Sequence, residues 1–131
     1  MRVRVRIETP RGSFLKRGSD GAVDFVSPVP CPFDYGSVVG EAGGDGDPLD
    51  ALVLGTRLAA GDVVEVPVRA VVRFLDAGAV DDKLVCSEAP PSALQRRAVL
   101  LFFEAYARIK RAANLARRRP GETRVLGWEP R

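Results

Sequence analysis

Three carboxylates fall within six residues in Asp45-Gly46-Asp47-Pro48-Leu49-Asp50, with Gly44 just before them. Two glycines loosen this turn and Pro48 stiffens it, so the three side chains can converge on one point. An isolated acidic turn is more often simply solvated. A calcium-binding EF-hand loop fails here: counted from Asp45, the sixth position is Asp50 where glycine is needed, and the twelfth is Thr56 instead of glutamate. A second acidic group follows in Asp76-Ala77-Gly78-Ala79-Val80-Asp81-Asp82-Lys83. Taken alone it reads as a polar hairpin loop, but Asp81 and Lys83, two residues apart on a strand, share a face. The chain has seventeen arginines and three lysines. A lysine at this place is therefore mildly informative, because it offers a compact point charge that can approach a phosphate oxygen.

If the two groups meet, Asp45, Asp47, Asp50, Asp76 and Asp81 face one cavity. At about 5 Å and an effective dielectric near 20, each like-charge pair costs about 3 kcal/mol, so five free carboxylates cannot all stay ionised. Divalent cations resolve the conflict. The chain contains no histidine, which excludes histidine acid–base chemistry, histidine-activated nucleophiles and the usual zinc and iron sites. An all-oxygen donor set selects Mg²⁺, or Mn²⁺ as the alternative. Such cations beside a lysine and tyrosines are the parts needed for phosphoryl transfer to water.

At 131 residues the chain is one domain's worth, with 46% hydrophobic and 28% charged residues, an ordinary globular balance. No apolar run approaches the ~20 residues that span a bilayer, so no membrane partner is expected. The amino terminus alternates arginine with valine with no apolar stretch behind it, so no secretory signal is expected there. Cys31 and Cys86 are far apart and form no CxxC pair, which makes a reducing cytoplasm the expected compartment. The net charge of +3 is segregated: residues 34–82 carry ten acidic residues against three arginines, and residues 83–131 eleven basic against four acidic. An acidic centre between basic arms suits a bound cation–anion pair at least as well as a polyanion.

The elements that must position these residues are mostly short strands. Residues 2–8 alternate strictly, and further strands are expected at 13–17, 22–26, 49–54 and 83–86. Residues 62–75 form a long β-branched segment in which Pro67 marks an edge or a bulge. Residues 27–34 read as an extended loop around Pro28, Pro30 and Pro32, and residues 40–48 as a tight turn. Ser92-Ala93-Leu94-Gln95 is a capping box. It opens a helix running to about Arg117, with Leu94, Ala98, Leu101, Phe102, Ala105 and Ile109 as its apolar stripe. The predicted fold is mainly β: a small closed five-stranded barrel of the oligonucleotide/oligosaccharide-binding (OB) type with one long carboxy-terminal helix beside it, residues 1–131 forming one domain.

DGDPLD followed by the strand ALVL resembles the signature of family I soluble inorganic pyrophosphatases. The resemblance extends along nearly the whole chain in VRIETP with Glu8, CPFDYGS with Tyr35, FLDAGAVDDKL, FFEAY with Tyr106, and LGWE with Trp128. It implies the same barrel, Mg²⁺-dependent hydrolysis of pyrophosphate to two phosphates, and a homo-oligomer for which a hexamer is one form. Carried over by position, Asp45, Asp50 and Asp81 hold the first cation, and Asp50 shares the second. Asp47 is the general base, and Asp76 and Asp81 hold the cation that arrives with pyrophosphate. Lys83 and Tyr106 contact the leaving phosphoryl group, Tyr35 the other end of the site, and Glu8 tunes the cation site through waters.

The chain also departs from the pattern and is shorter than usual members. Ser13 and Leu15 stand near the family's early lysine and glutamate, with Lys16 as a substitute only after a register shift. Phe25 follows Asp24 where an arginine is usual, Cys31 replaces a tyrosine, and Ala107 replaces the lysine after the helix tyrosine. Lys110, at i+4 from Tyr106, is the candidate substitute for that lysine. Pyrophosphate is the expected substrate. A divergent paralogue acting on another small phosphoanhydride, or only weakly active, is the second reading. A nucleic-acid-binding barrel is a weaker third: it rests on the fold type and on the basic run within residues 108–119, which also reads as a solvated helix end. Low aromatic content (7%) and the acidic face count against nucleic acid.

Overall fold

The structure, a computed structural model, describes residues 1–13, 15–17, 22–26, 30–42 and 48–131, with residues 15–17, 23–26 and 41–42 described by their backbone alone. Five strands form the barrel: β1 (Arg2–Thr9), β4 (Asp34–Ala42), β5 (Pro48–Val53), β8 (Lys83–Cys86) and β6 (Val63–Asp76). They pair in the order β1-β4-β5-β8-β6, and β6 pairs back with β1 to close the ring. All of these pairs are antiparallel except β5–β8, which is parallel. A short hairpin of β2 (Leu15–Arg17) and β3 (Val23–Val26) stands apart from this sheet, while β7 (Ala79–Val80) and β9 (Arg124–Pro130) both pair with β6. One helix, α1 (Ala93–Ala116), lies between β8 and β9 in the chain. Among the described residues, no helix is long and apolar enough to cross a membrane.

Side-chain alternation divides the interior in two. Val3, Val5, Ile7, Val38, Ala51, Val53, Val71, Leu84 and Cys86 fill the barrel. The alternate residues Tyr35, Leu52, Val72, Phe74 and Val85 point outward and are covered by Val99, Phe102, Phe103, Tyr106 and Ala107 of the helix. At Pro67, where an edge or a bulge was expected, β6 changes partner: it pairs with β1 up to Pro67 and with β8 from Val68, with a register shift between Val68 and Ala70.

The capping box is present as read. The Ser92 hydroxyl accepts from the N–H of Gln95 at 3.1 Å, and the Gln95 side chain accepts from the N–H of Ser92 at 2.9 Å. The helix buries a different face from the one expected. Val99, Phe102, Phe103, Tyr106, Ala107, Lys110 and Asn114 are buried, whereas Leu94 and Leu101 are exposed. The helix is apolar on more than one side, and the face that wins carries three rings, Phe102, Phe103 and Tyr106, that pack against Phe33, Tyr35 and Phe74. Three strands escaped the sequence reading. Asp34–Ala42, only the ends of which fall in the expected loop (27–34) and turn (40–48), is the barrel strand between β1 and β5; Ala79–Val80, expected as loop, pairs with β6; and Arg124–Pro130 extends the sheet along β6. Gly36 makes the first of these possible: a Cβ there would lie 1.8 Å from the Arg6 carbonyl oxygen.

Candidate active site

The outward, helix-covered face that carries Leu52, Val85 and Phe74 continues into charged residues at its end. Asp50 precedes Leu52 by two, Lys83 precedes Val85 by two, and Asp76 follows Phe74 by two, so strand alternation presents all three on one face. Asp50 and Lys83 are register partners in the parallel β5–β8 pair. Lys83 is fully buried, and its Nζ donates to Asp50 Oδ2 at 2.5 Å and lies 2.9 Å from Asp81 Oδ2. Burial opposes the charge on this ammonium, but the Asp50 and Asp81 carboxylates outweigh it and hold Lys83 above the ordinary lysine range. The Phe74 and Tyr106 rings flank the same nitrogen at 5.6 and 5.7 Å.

Tyr35 of β4 and Tyr106 of α1 are both buried beside this pair. Burial first, then the neighbouring Asp50 carboxylate, pushes the Tyr35 phenol well above its usual range, so it stays a protonated hydrogen-bond donor at neutral pH. Glu8 enters through a β-bulge. The β1–β4 register shifts between Ile7 and Thr9, which re-aims the residue between them, and Ser37 donates to Glu8 at 3.1 Å. Ser37 is in turn the register partner of Asp50, so β4 alone separates Glu8 on β1 from Asp50 on β5.

Asp76 ends β6 and opens a two-residue turn, Ala77-Gly78, in which both residues have positive φ. Lys110 of α1 is buried with Nζ 3.7 Å from Asp76 Oδ2 and 5.8 Å from the Tyr106 ring. The helix thus brings Lys110 beside Tyr106, as the i+4 spacing predicts, and also beside Asp76. Asn114, one further turn along, donates to the other Asp76 oxygen at 2.8 Å. Sequence reasoning missed Asn114, although Tyr106, Lys110 and Asn114 recur at the same spacing.

Asp45 and Asp47 lie outside the described residues, as does the side chain of Lys16. Among the described residues, no three carboxylates cluster closely enough to hold a metal by themselves. Asp50 and Asp81 converge on one ammonium, Asp76 shares the helix-covered face, and Asp45 and Asp47 immediately precede β5 in the sequence. Carboxylate oxygens meeting on a cation are a donor set that fits Mg²⁺ or Mn²⁺. Of the departures noted above, Cys31 and Ala107 are buried in the core under the helix, the Cys31 thiol donating to the Phe33 carbonyl at 3.1 Å.

Residues 5–118 match the inorganic pyrophosphatase family. The chain belongs to that family. Among its relatives, the inorganic pyrophosphatase of Corynebacterium glutamicum is 36% identical over 93 residues, covering 65% of this chain and 59% of that protein. That of Haemophilus influenzae is 42% identical over 59 residues, 44% of this chain and 34% of that protein. The chain therefore spans less than two thirds of the length of these relatives. Solved pyrophosphatase structures match more of it. The Thermus thermophilus enzyme aligns with a TM-score of 0.75 at 32% identity over 99% of this chain and 83% of that one. The Coxiella burnetii enzyme aligns with a TM-score of 0.78 at 26% identity over 98% and 86%. The five-stranded barrel and flanking helix of this chain are thus the architecture of solved inorganic pyrophosphatases.

Proposed function

We propose that this chain hydrolyses inorganic pyrophosphate to two phosphates with Mg²⁺ as its cofactor, Mn²⁺ being the alternative. The observation that carries the reading is the buried Lys83 ammonium held between Asp50 and Asp81, on a family fold whose signature aspartates lead into the same strand. The cations, when bound, neutralise the charge of pyrophosphate and lower the pKa of the attacking water. Asp50, Asp81 and Asp45 hold them, Asp76 contributes from the hairpin, and Glu8 acts across β4 through Ser37. Asp47 takes the proton of the attacking water. The new P–O bond forms as the bond to the bridging oxygen breaks, and Lys83 and Tyr106 stabilise the departing phosphate. Tyr35 and Lys110 complete the polar wall, with Lys16 on the β2–β3 hairpin as a further substrate contact.

The same reading makes the protein a cytoplasmic homo-oligomer. It is supported by two buried cysteines that remain free thiols and by the apolar side chains Leu94, Leu101 and Leu115 exposed on α1, surface that a second copy can cover. The deciding experiment is phosphate release from pyrophosphate and from nucleoside triphosphates, with and without Mg²⁺, on the wild type and Asp47→Asn. Loss of the base is expected to cost ~10²–10⁴-fold. Undiminished turnover by Asp47→Asn refutes the assigned base. Preference for the triphosphates favours the divergent-paralogue reading, which the burial of Ala107 and Cys31 at two positions of the family's substrate clamp supports.

A further inference from the structure

We infer that Asn114 is a positioning residue that orients the Asp76 carboxylate, working with a segment after the helix that locks the Asp76 hairpin. The inference rests on the proposed role of Asp76 in holding the cation that accompanies pyrophosphate. Asn114 is 3% exposed, and its amide nitrogen donates to Asp76 Oδ1 at 2.8 Å and to Thr123 Oγ1 at 2.9 Å. Thr123 Oγ1 also accepts the N–H of Ala77, the residue after Asp76, at 2.9 Å. The N–H of Gly78 donates to the Glu122 carbonyl at 2.8 Å. Gly121 lies so close to the turn that a Cβ there would be 2.6 Å from the carbonyl carbon of Ala77. Helix and post-helix segment therefore grip the turn at its backbone and grip Asp76 at its side chain.

The chemistry of the grip is selective. An amide fixes the plane of a carboxylate without cancelling its charge, so Asp76 keeps its affinity for a cation while losing rotational freedom. Lys110 supplies the charge on the other oxygen. The Asn114 Oδ1 atom is buried with no hydrogen-bond partner among the described residues, a costly arrangement for a residue whose task is packing. Both amide hydrogens are committed to the Asp76 side of the helix, and the unserved oxygen is what that commitment leaves.

The test compares wild type, Asn114→Leu, Asp76→Ala and the double variant. Mg²⁺ binding is measured by calorimetry, alone and with imidodiphosphate, a non-hydrolysable pyrophosphate analogue; kcat, KM and Tm are recorded for each protein. Asn114→Leu is expected to weaken Mg²⁺ binding about fivefold or more, raise KM for magnesium pyrophosphate more than it lowers kcat, and do nothing further in the Asp76→Ala background. Thr123→Val, isosteric and milder, should shift binding in the same direction and guards against a misfolded Asn114→Leu. The inference is overturned if both variants lower only Tm, if the Asn114→Leu effect persists undiminished without Asp76, or if Asp76→Ala leaves Mg²⁺ binding unchanged. A wild type that binds Mg²⁺ with this coupling yet releases no phosphate from pyrophosphate overturns the functional reading and leaves the role of Asn114 standing.

Discussion

Replacing Lys83 by methionine keeps most of the side-chain volume and its apolar stem but deletes the ammonium. The carboxylates it leaves behind are themselves mostly buried, with side-chain exposures of 22% for Asp50 and 14% for Asp81. Two such carboxylates about 5 Å apart repel by about 3 kcal/mol at an effective dielectric near 20. Removing one partner of a buried ion pair typically costs about 3–5 kcal/mol. For a chain of this size a loss of that order lowers Tm by roughly 10 °C or more. Thermal or urea unfolding in EDTA reads this directly. Mg²⁺ should then restore stability, since a cation bound by the same carboxylates answers their repulsion; at a hundred times its dissociation constant it contributes about 2.7 kcal/mol. The variant's Tm should rise with Mg²⁺ by at least as much as the wild type's. A variant within 1 kcal/mol of wild type in EDTA, or one whose melting ignores millimolar Mg²⁺, would refute the claim that these two carboxylates converge on a cation site.

Stability should also fall on the alkaline side. Burial pushes the Cys86 thiol from 9.0 up to about 12, so the folded state holds a proton that the unfolded state releases; the contribution is full below pH 9 and is lost from there to about pH 12, at about 1.4 kcal/mol per pH unit. Tyr35 and Lys83 are raised too and steepen the decline above pH 10, and urea titrations of Cys86→Ala should lack its first part. Arg118 closes α1 in the left-handed region at φ 55°, with Arg119 donating to the Asn114 carbonyl at 2.8 Å and Arg118 to that of Leu115 at 3.2 Å, a Schellman cap carrying a side chain where glycine is preferred. Arg118→Gly should therefore stabilise by about 0.5–1 kcal/mol in chemical denaturation. Lys110→Ala should raise KM or lower kcat at least tenfold while Arg117→Ala leaves both within twofold; equal, small effects would make Lys110 a packing residue.

The strands legible in the sequence are those whose alternation is written locally. Arg2–Thr9 shows it with Val3, Val5 and Ile7, and the register shift in β6 falls just after Pro67, where an edge or a bulge was expected. Asp34–Ala42 carries two glycines behind a proline-rich stretch, and its strand character comes from neighbours on both sides, a tertiary effect that no local window contains. The helix was legible in its start and length but not in its buried face, because Leu94 and Leu101 compete with Phe103 and Tyr106 on hydrophobicity alone. Within the candidate site, the nearness of Asp81 to Lys83 was readable from their two-residue spacing, and Asp50 stood out through the acidic motif before β5, but its pairing with Lys83 was not readable. Nor was Asn114, because a neutral amide near a helix end is locally unremarkable until Asp76 and Thr123 arrive from elsewhere in the chain.

The parallel pairing of β5 with β8 sets Asp50 opposite Lys83, and this gives the barrel a gauge for its own assembly. Strands rich in valine and leucine pair almost equally well one residue out of step, since either face offers apolar side chains. Here a slip of one residue would turn Lys83 inward among Val5, Val53 and Val71 and set a leucine opposite Asp50. An ammonium stranded in hydrocarbon is penalised far beyond the difference between two valine contacts. The charges that face the candidate site therefore also specify the register: the alignment that completes the ion pair is favoured over its one-residue neighbours.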